Sequence, residues 1–251
     1  MLRFAANISL MFTEWPFADR FEAARDAGFE AVEFMFTDGL SADNVAMLLE
    51  RSGLEQVLAN MPLRSGSKGL AAIEGERLNF RSDFLTGLHF ASTCKAPVIH
   101  MTAGIVAANR YEVACQVFQA NTQWAIEKAH DVGVKVVIEA INQIAVPDYF
   151  VRSLAQAREW AGKCEGIGYI LDIYHSAMEG LDPLDALDTY LSDASHVQLA
   201  GYPGRHEPDL GELPLSEIGT AFQRTPYFGW VGCEYIPSHG TLNGLRWRDR
   251  F

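Results

Sequence analysis

Four side chains that carry oxygen stand near the ends of four apolar runs in the second half of the chain: Glu139 in KVVIEAIN, Asp172 in YILDIYH, Gln198 in HVQLA and Glu234 in WVGCEY. A charged group is costly inside an apolar strand unless it is paired or binds a metal, so acids repeated at this position mark a candidate site. Taken singly, a strand-end acid more often caps a helix or pairs with an arginine; the recurrence in successive runs carries the argument. Three carboxylates and one amide oxygen make an all-oxygen shell suited to a hard divalent ion, Mg²⁺ or Mn²⁺. The neutral Gln198 leaves part of that ion's charge for a substrate.

Two further residues lie within reach of the same place. His175 follows Asp172 by three residues, where the strand ends, and the spacing leaves it open between packing and the site. Arg205 follows Tyr202, Pro203 and Gly204 in a turn-rich loop, placed either to meet an anionic substrate or to lie on the surface. His100 and His196 read as core histidines satisfied by hydrogen bonds, and Glu33 in AVEFMF as a buried polar anchor. Lys95, Lys128 and Lys135 read as solvated charges.

Positioning such a set needs strands that end together. Apolar β-branched runs at residues 3–9, 31–36, 57–62, 97–104, 135–142, 169–175, 196–201 and 230–237 alternate with helical patterns that Gly28, Gly53 and Gly133 end. Ser41 and Asp182 with Pro183 supply helix starts. The basic, Gly- and Ser-rich stretch 63–75 reads as a long loop, a candidate lid. Eight strands alternating with helices predict an α/β fold, a (β/α)8 TIM barrel spanning 1–251 as a single domain. A doubly wound sheet would carry a glycine-rich phosphate turn after its first strand, and none is present. The four candidate ligands are 33, 26 and 36 residues apart, each interval holding one helix and one strand. Alternation along each strand turns Val137, Ile170, His196 and Gly232 inward with the four ligands and turns Cys233 toward the helices.

The chain has 20 basic and 32 acidic residues and a net charge of −12, which opposes attraction to nucleic acid or anionic membrane and favours small-molecule partners. Cys94, Cys115, Cys164 and Cys233 lack paired spacing and suit reduced thiols in a cytoplasmic protein. The opening MLRFAANISLMF makes a poor signal peptide, and no run is long enough for a membrane span. A homo-oligomer is open, and GLRWRDRF can fold back on the barrel or reach a partner subunit.

RFAANISLMF, GFEAVEFMF, IEAIN, LDIYH, HVQLA, Gly211–Glu212, GWVGCEY and GLRW together resemble the hydroxypyruvate isomerase family, within the xylose isomerase-like superfamily that also holds ketose 3-epimerases and apurinic endonucleases. The resemblance runs nearly end to end. It implies a metal set of Glu139, Asp172, Gln198 and Glu234 and, by similarity to the epimerases, substrate contacts from His175 and Arg205. The implied reaction is metal-dependent isomerisation of a small hydroxy-oxo acid, hydroxypyruvate to tartronate semialdehyde, through an enediolate, with Glu139 and Glu234 as base and acid. The rivals are 2-oxo-tetronate isomerisation by the same set and ketose 3-epimerisation, whose enzymes present histidine where Gln198 stands. The acidic charge and Gln198 speak against an endonuclease, and a non-catalytic sugar-acid binding protein is the remaining class.

Overall fold

Parallel strands each need a crossover, and the helical patterns between the apolar runs supply them. In the computed structural model, which describes residues 2–251, strands β1 (Arg3–Asn7), β2 (Ala31–Phe34), β3 (Glu55–Asn60), β4 (Val98–His100), β5 (Lys135–Glu139), β6 (Ile167–Asp172), β7 (His196–Leu199) and β8 (Trp230–Cys233) pair in chain order, and β8 closes on β1. Met1, the first residue of the stretch tested as a leader, lies outside the described residues. Every pairing is parallel, so all eight strand C-termini open at one mouth. The expected (β/α)8 barrel is the observed fold.

Helices α1 (Arg20–Asp26), α2 (Ala42–Ser52), α3 (Arg77–Thr93), α4 (Tyr111–His130), α5 (Leu154–Lys163), α6 (Ile173–Met178), α7 (Pro183–Tyr190) and α8 (Leu215–Arg224) surround it. Local chemistry sets their ends. Ser41 accepts the Asn44 N–H, Ser153 the Gln156 N–H, and Asp182 those of Leu184 and Asp185, while Gly53 ends α2 at φ +69°, a conformation that costs glycine nothing.

The structure corrects three details. Each strand ends two to four residues before the apolar run does. Buried residues such as Met61, Met101, Ala140, Ala200 and Tyr235 extend the apolar pattern past the last ladder bond, so hydropathy cannot mark the end. Residues 173–175 leave β6 for α6, because the Asp172 carboxylate accepts the His175 N–H at 3.0 Å and caps a helix there. Finally, β6 is followed by two helices and β8 by none. After β8 a 3-10 segment, Leu242–Arg250, folds back and buries Trp247 completely, with its ring 4.9 Å from Phe4 and its Nε1–H donating to the Tyr235 hydroxyl at 3.2 Å. The fold-back alternative for GLRWRDRF is the one realised.

Candidate active site at the barrel mouth

Strand alternation brings the four candidate ligands inward as expected. Asp172 is in register with Gln198, and Gln198 with Gly232, while Glu234 follows β8 directly and is held by its N–H to the Leu199 carbonyl at 3.1 Å. Glu139, Asp172, Gln198 and Glu234 are all buried. Cys233 points the other way, and burial raises its thiol pKa, so it packs.

A cavity of about 200 Å³ opens on Glu139, His175, Gln198, Arg205, Glu234 and Lys68. Glu139, Asp172 and His175 present possible ligand atoms within 4.8 Å of one another. Glu139 Oε1, Asp172 Oδ2 and Gln198 Oε1 are buried without a hydrogen-bond partner. Orphaned buried oxygens are unfavourable, and three from neighbouring strand ends fit a hard divalent cation. Glu234 differs, because Arg205 Nη2 meets its Oε1 at 2.5 Å and Gln198 Nε2 donates to its Oε2. Burial, then the charges of Glu234 and Asp172, hold the Glu139 pKa well above the usual carboxylate range. Burial also pushes Glu234 up to about 8, with Arg205 opposing and Asp172 adding to the rise. A larger cavity of about 830 Å³ near Gln56, Cys94 and Trp230 lies by the opposite end of the barrel, and its charged members, Asp43, Glu50, Glu55 and Lys95, are exposed.

The surroundings fix the protonation of His175. Asn142 Oδ1 accepts the Ile144 and Ala145 N–H groups at 3.1 and 2.8 Å, which turns its Nδ2 toward His175 Nδ1 at 2.6 Å. The Asn142 N–H reaches the same nitrogen at 3.3 Å. Nδ1 is therefore an acceptor, and the ring hydrogen sits on Nε2, 3.7 Å from Glu139 Oε1 and 3.9 Å from Asp172 Oδ2. Burial lowers the pKa of this histidine and keeps it neutral. His175 thus offers a donor to the cavity rather than a lone pair to a metal.

The model of the xylose isomerase-like TIM barrel family matches residues 21–251. The chain belongs to this family. A 2-oxo-tetronate isomerase of Cupriavidus necator is 36% identical over 98% of this chain and 97% of its own. The hydroxypyruvate isomerase of Escherichia coli is 31% identical over 100% of both chains. A Brucella melitensis crystal structure described as an AP endonuclease of family 2 is 36% identical with a TM-score of 0.96, over 100% of this chain and 99% of that one. The protein is an isomerase of this family.

Arg205 of the isomerase is no ordinary surface arginine. Its guanidinium is paired with Glu234 and lies 5.1 Å from the Tyr174 ring centroid, and its backbone sits at φ +54°, which costs a residue with a Cβ on the order of 1 kcal/mol. The stretch 63–75, the candidate lid, lines one side of the mouth and is anchored at several points. Gly69 bridges Ala103 at φ +113°, the Ala71 and Ala72 N–H groups bond the carbonyls of Thr102 and Ala103, and Arg64 pairs with Asp83 at 2.7 Å. This wall carries Lys68 into the cavity lining. Sequence reasoning missed Lys68, whose only signal was a lone lysine in a Gly/Ser loop. It also assigned His100 to the core, yet His100 lines the cavity 3.6 Å from Glu139. The inward parity that Val98 shares with Val137 could have found it. His196 is the satisfied core histidine expected.

Proposed function

We propose that this isomerase interconverts a short 3-hydroxy-2-oxo carboxylate with its 2-hydroxy-3-oxo isomer through an enediolate, with hydroxypyruvate and tartronate semialdehyde as the three-carbon pair. The observation that carries this is the trio of unpartnered buried oxygens, on Glu139, Asp172 and Gln198, beside two carboxyl groups, Glu139 and Glu234, whose pKa values burial raises. Glu139, Asp172, Gln198 and Glu234 would hold Mg²⁺ or Mn²⁺, which when bound supplies Lewis-acid polarisation of the substrate oxygens and charge neutralisation.

The protein's own groups then handle the protons. One of Glu139 and Glu234 takes the C3 proton and the other delivers a proton to C2, while the hydroxyl proton on O3 passes to O2. Carboxyl groups tuned upward are suited to both roles near neutral pH. The Nε2–H of His175 donates to a substrate oxygen as charge develops there. Arg205 and Lys68 face the substrate carboxylate as cations. The four reduced cysteines and the acidic surface suit a cytoplasmic metabolic enzyme.

A second reading has its own support: relatives from three bacteria at 33–36% identity are named 2-oxo-tetronate isomerase. That acid repeats the first three carbons and adds one hydroxymethyl group, so the same proton transfers serve it. Relative kcat/KM on the two acids, with Mn²⁺ and after chelation, tests both readings. Isomerisation of at least one acid that chelation abolishes supports the proposal, the ratio naming the substrate; activity on ketoses alone would replace it with epimerisation.

A further inference from the structure

A buried carboxylate one layer below the mouth is used by none of the steps above. Glu33, on β2, is 1% exposed. Its Oε2 receives the His196 Nε2–H at 2.7 Å, and its Oε1 receives the Asn7 Nδ2–H at 3.1 Å and the Gln198 Nε2–H at 2.9 Å. One of these donors is itself fixed. Asn7 Oδ1 accepts the Ser9 N–H at 3.2 Å, which turns the Asn7 amide nitrogen to Glu33. Opposite, Gly232 leaves the room the carboxylate occupies, since a Cβ there would fall on it.

The consequence lies at Gln198. An amide side chain can present either its oxygen or its nitrogen to a site, and the two faces differ in the sign of their partial charge. Glu33, bonded by Asn7 and His196, accepts from Gln198 Nε2 at 2.9 Å from below, and Glu234 Oε2 accepts from the same nitrogen at the mouth, so Gln198 turns its nitrogen to the two carboxylates. Gln198 Oε1 is then the atom left buried and unpartnered, alongside those of Glu139 and Asp172. We propose that Glu33 is a positioning residue that locks the Gln198 amide with its oxygen toward the bound divalent cation. The proposal rests on the metal reading of the site. It gives Glu33 a role in cation affinity that acts wholly through Gln198, in the manner of partners that orient metal ligands from behind.

The test is Mn²⁺ binding to the full-length protein without substrate, followed by the electron paramagnetic resonance signal of free Mn²⁺, for the parent, Glu33→Gln, Gln198→Ala and the double variant. With glutamine at position 33 the lower carboxylate is gone and only Glu234 still holds the Gln198 nitrogen, so Mn²⁺ affinity falls about 10-fold. In the Gln198→Ala background the second change, Glu33→Gln, leaves affinity within about 2-fold, because the group it acts through is gone. Gly232→Ala, which keeps every polar group and displaces only the carboxylate, weakens binding too and guards against a poorly folded Glu33→Gln protein, with circular dichroism checking each fold. A parent that binds Mn²⁺ and a folded Glu33→Gln protein that binds it equally well would overturn the positioning role alone, as would losses that simply add in the double variant. A folded parent that binds no Mn²⁺ would remove the metal reading and this inference together.

Discussion

In the proposed reaction Glu139 and Glu234 would carry the proton transfers, in a setting that their neighbours create. Replacing either with glutamine keeps size and removes the proton acceptor, so kcat falls at least about 100-fold while the fold is retained; steady-state kinetics beside a thermal melt checks this. Under the proposed function Lys68 would serve binding. Loss of one charged contact to a carboxylate, in Lys68→Met, raises KM about 10-fold and leaves kcat within a few-fold, and Lys68→Arg restores most of the affinity. The candidate ligands were legible in the sequence because acids are rare at the ends of apolar runs. Their hydrogen-bond states were not: that Asn142 sets the tautomer of His175 depends on a turn that presents the Ile144 and Ala145 N–H groups, and that Arg205 pairs with Glu234 depends on two loops meeting.

At the scale of elements, β-branched runs and glycine stops gave the eight strands and most helices, and cap residues gave several helix starts. Strand ends were misplaced because burial continues past the ladder, and α6 was hidden because a single carboxylate turns an apolar strand-like run into a helix. The segment after β8 takes the place of a last helix. Its weight in the fold is measurable: Trp247→Ala removes a fully buried ring and a hydrogen bond to Tyr235 and lowers unfolding free energy by about 3–5 kcal/mol, read by denaturant titration. Metal affinity should be unchanged in that variant when folded, since the bond lost with the ring is to Tyr235 and not to a candidate ligand.

For the molecule as a whole, the barrel gathers several carboxylates at one end, and stability then depends on pH and, under the proposed function, on metal. Glu139 and Glu234 have folded pKa values above the ordinary 4.5, the latter at about 8, so their ionisation is harder in the folded chain than in the unfolded one. The stability tied to the protonated form of Glu234 is complete below pH 4.5 and is lost as pH rises through about 8, and Glu139 acts in the same direction. With chelator present, the melting temperature of Glu234→Gln should therefore gain on that of the parent between pH 6 and 9, and Mn²⁺ should raise the parent most at the alkaline end. The barrel itself was legible because eight alternating units leave few topologies; the lining of its mouth was not, because it draws on loops such as 63–75 whose course only the fold reveals.

Proton NMR of hydroxypyruvate and of 2-oxo-tetronate in D₂O with the Mg²⁺-loaded protein tests the central claim most directly. The account predicts conversion of at least one acid to its 3-oxo isomer, with solvent deuterium entering at the carbon that is reprotonated, and the loss of both conversion and exchange on chelation. A folded, metal-loaded protein that neither converts nor exchanges either acid, or one whose conversion survives complete removal of the metal, would contradict it.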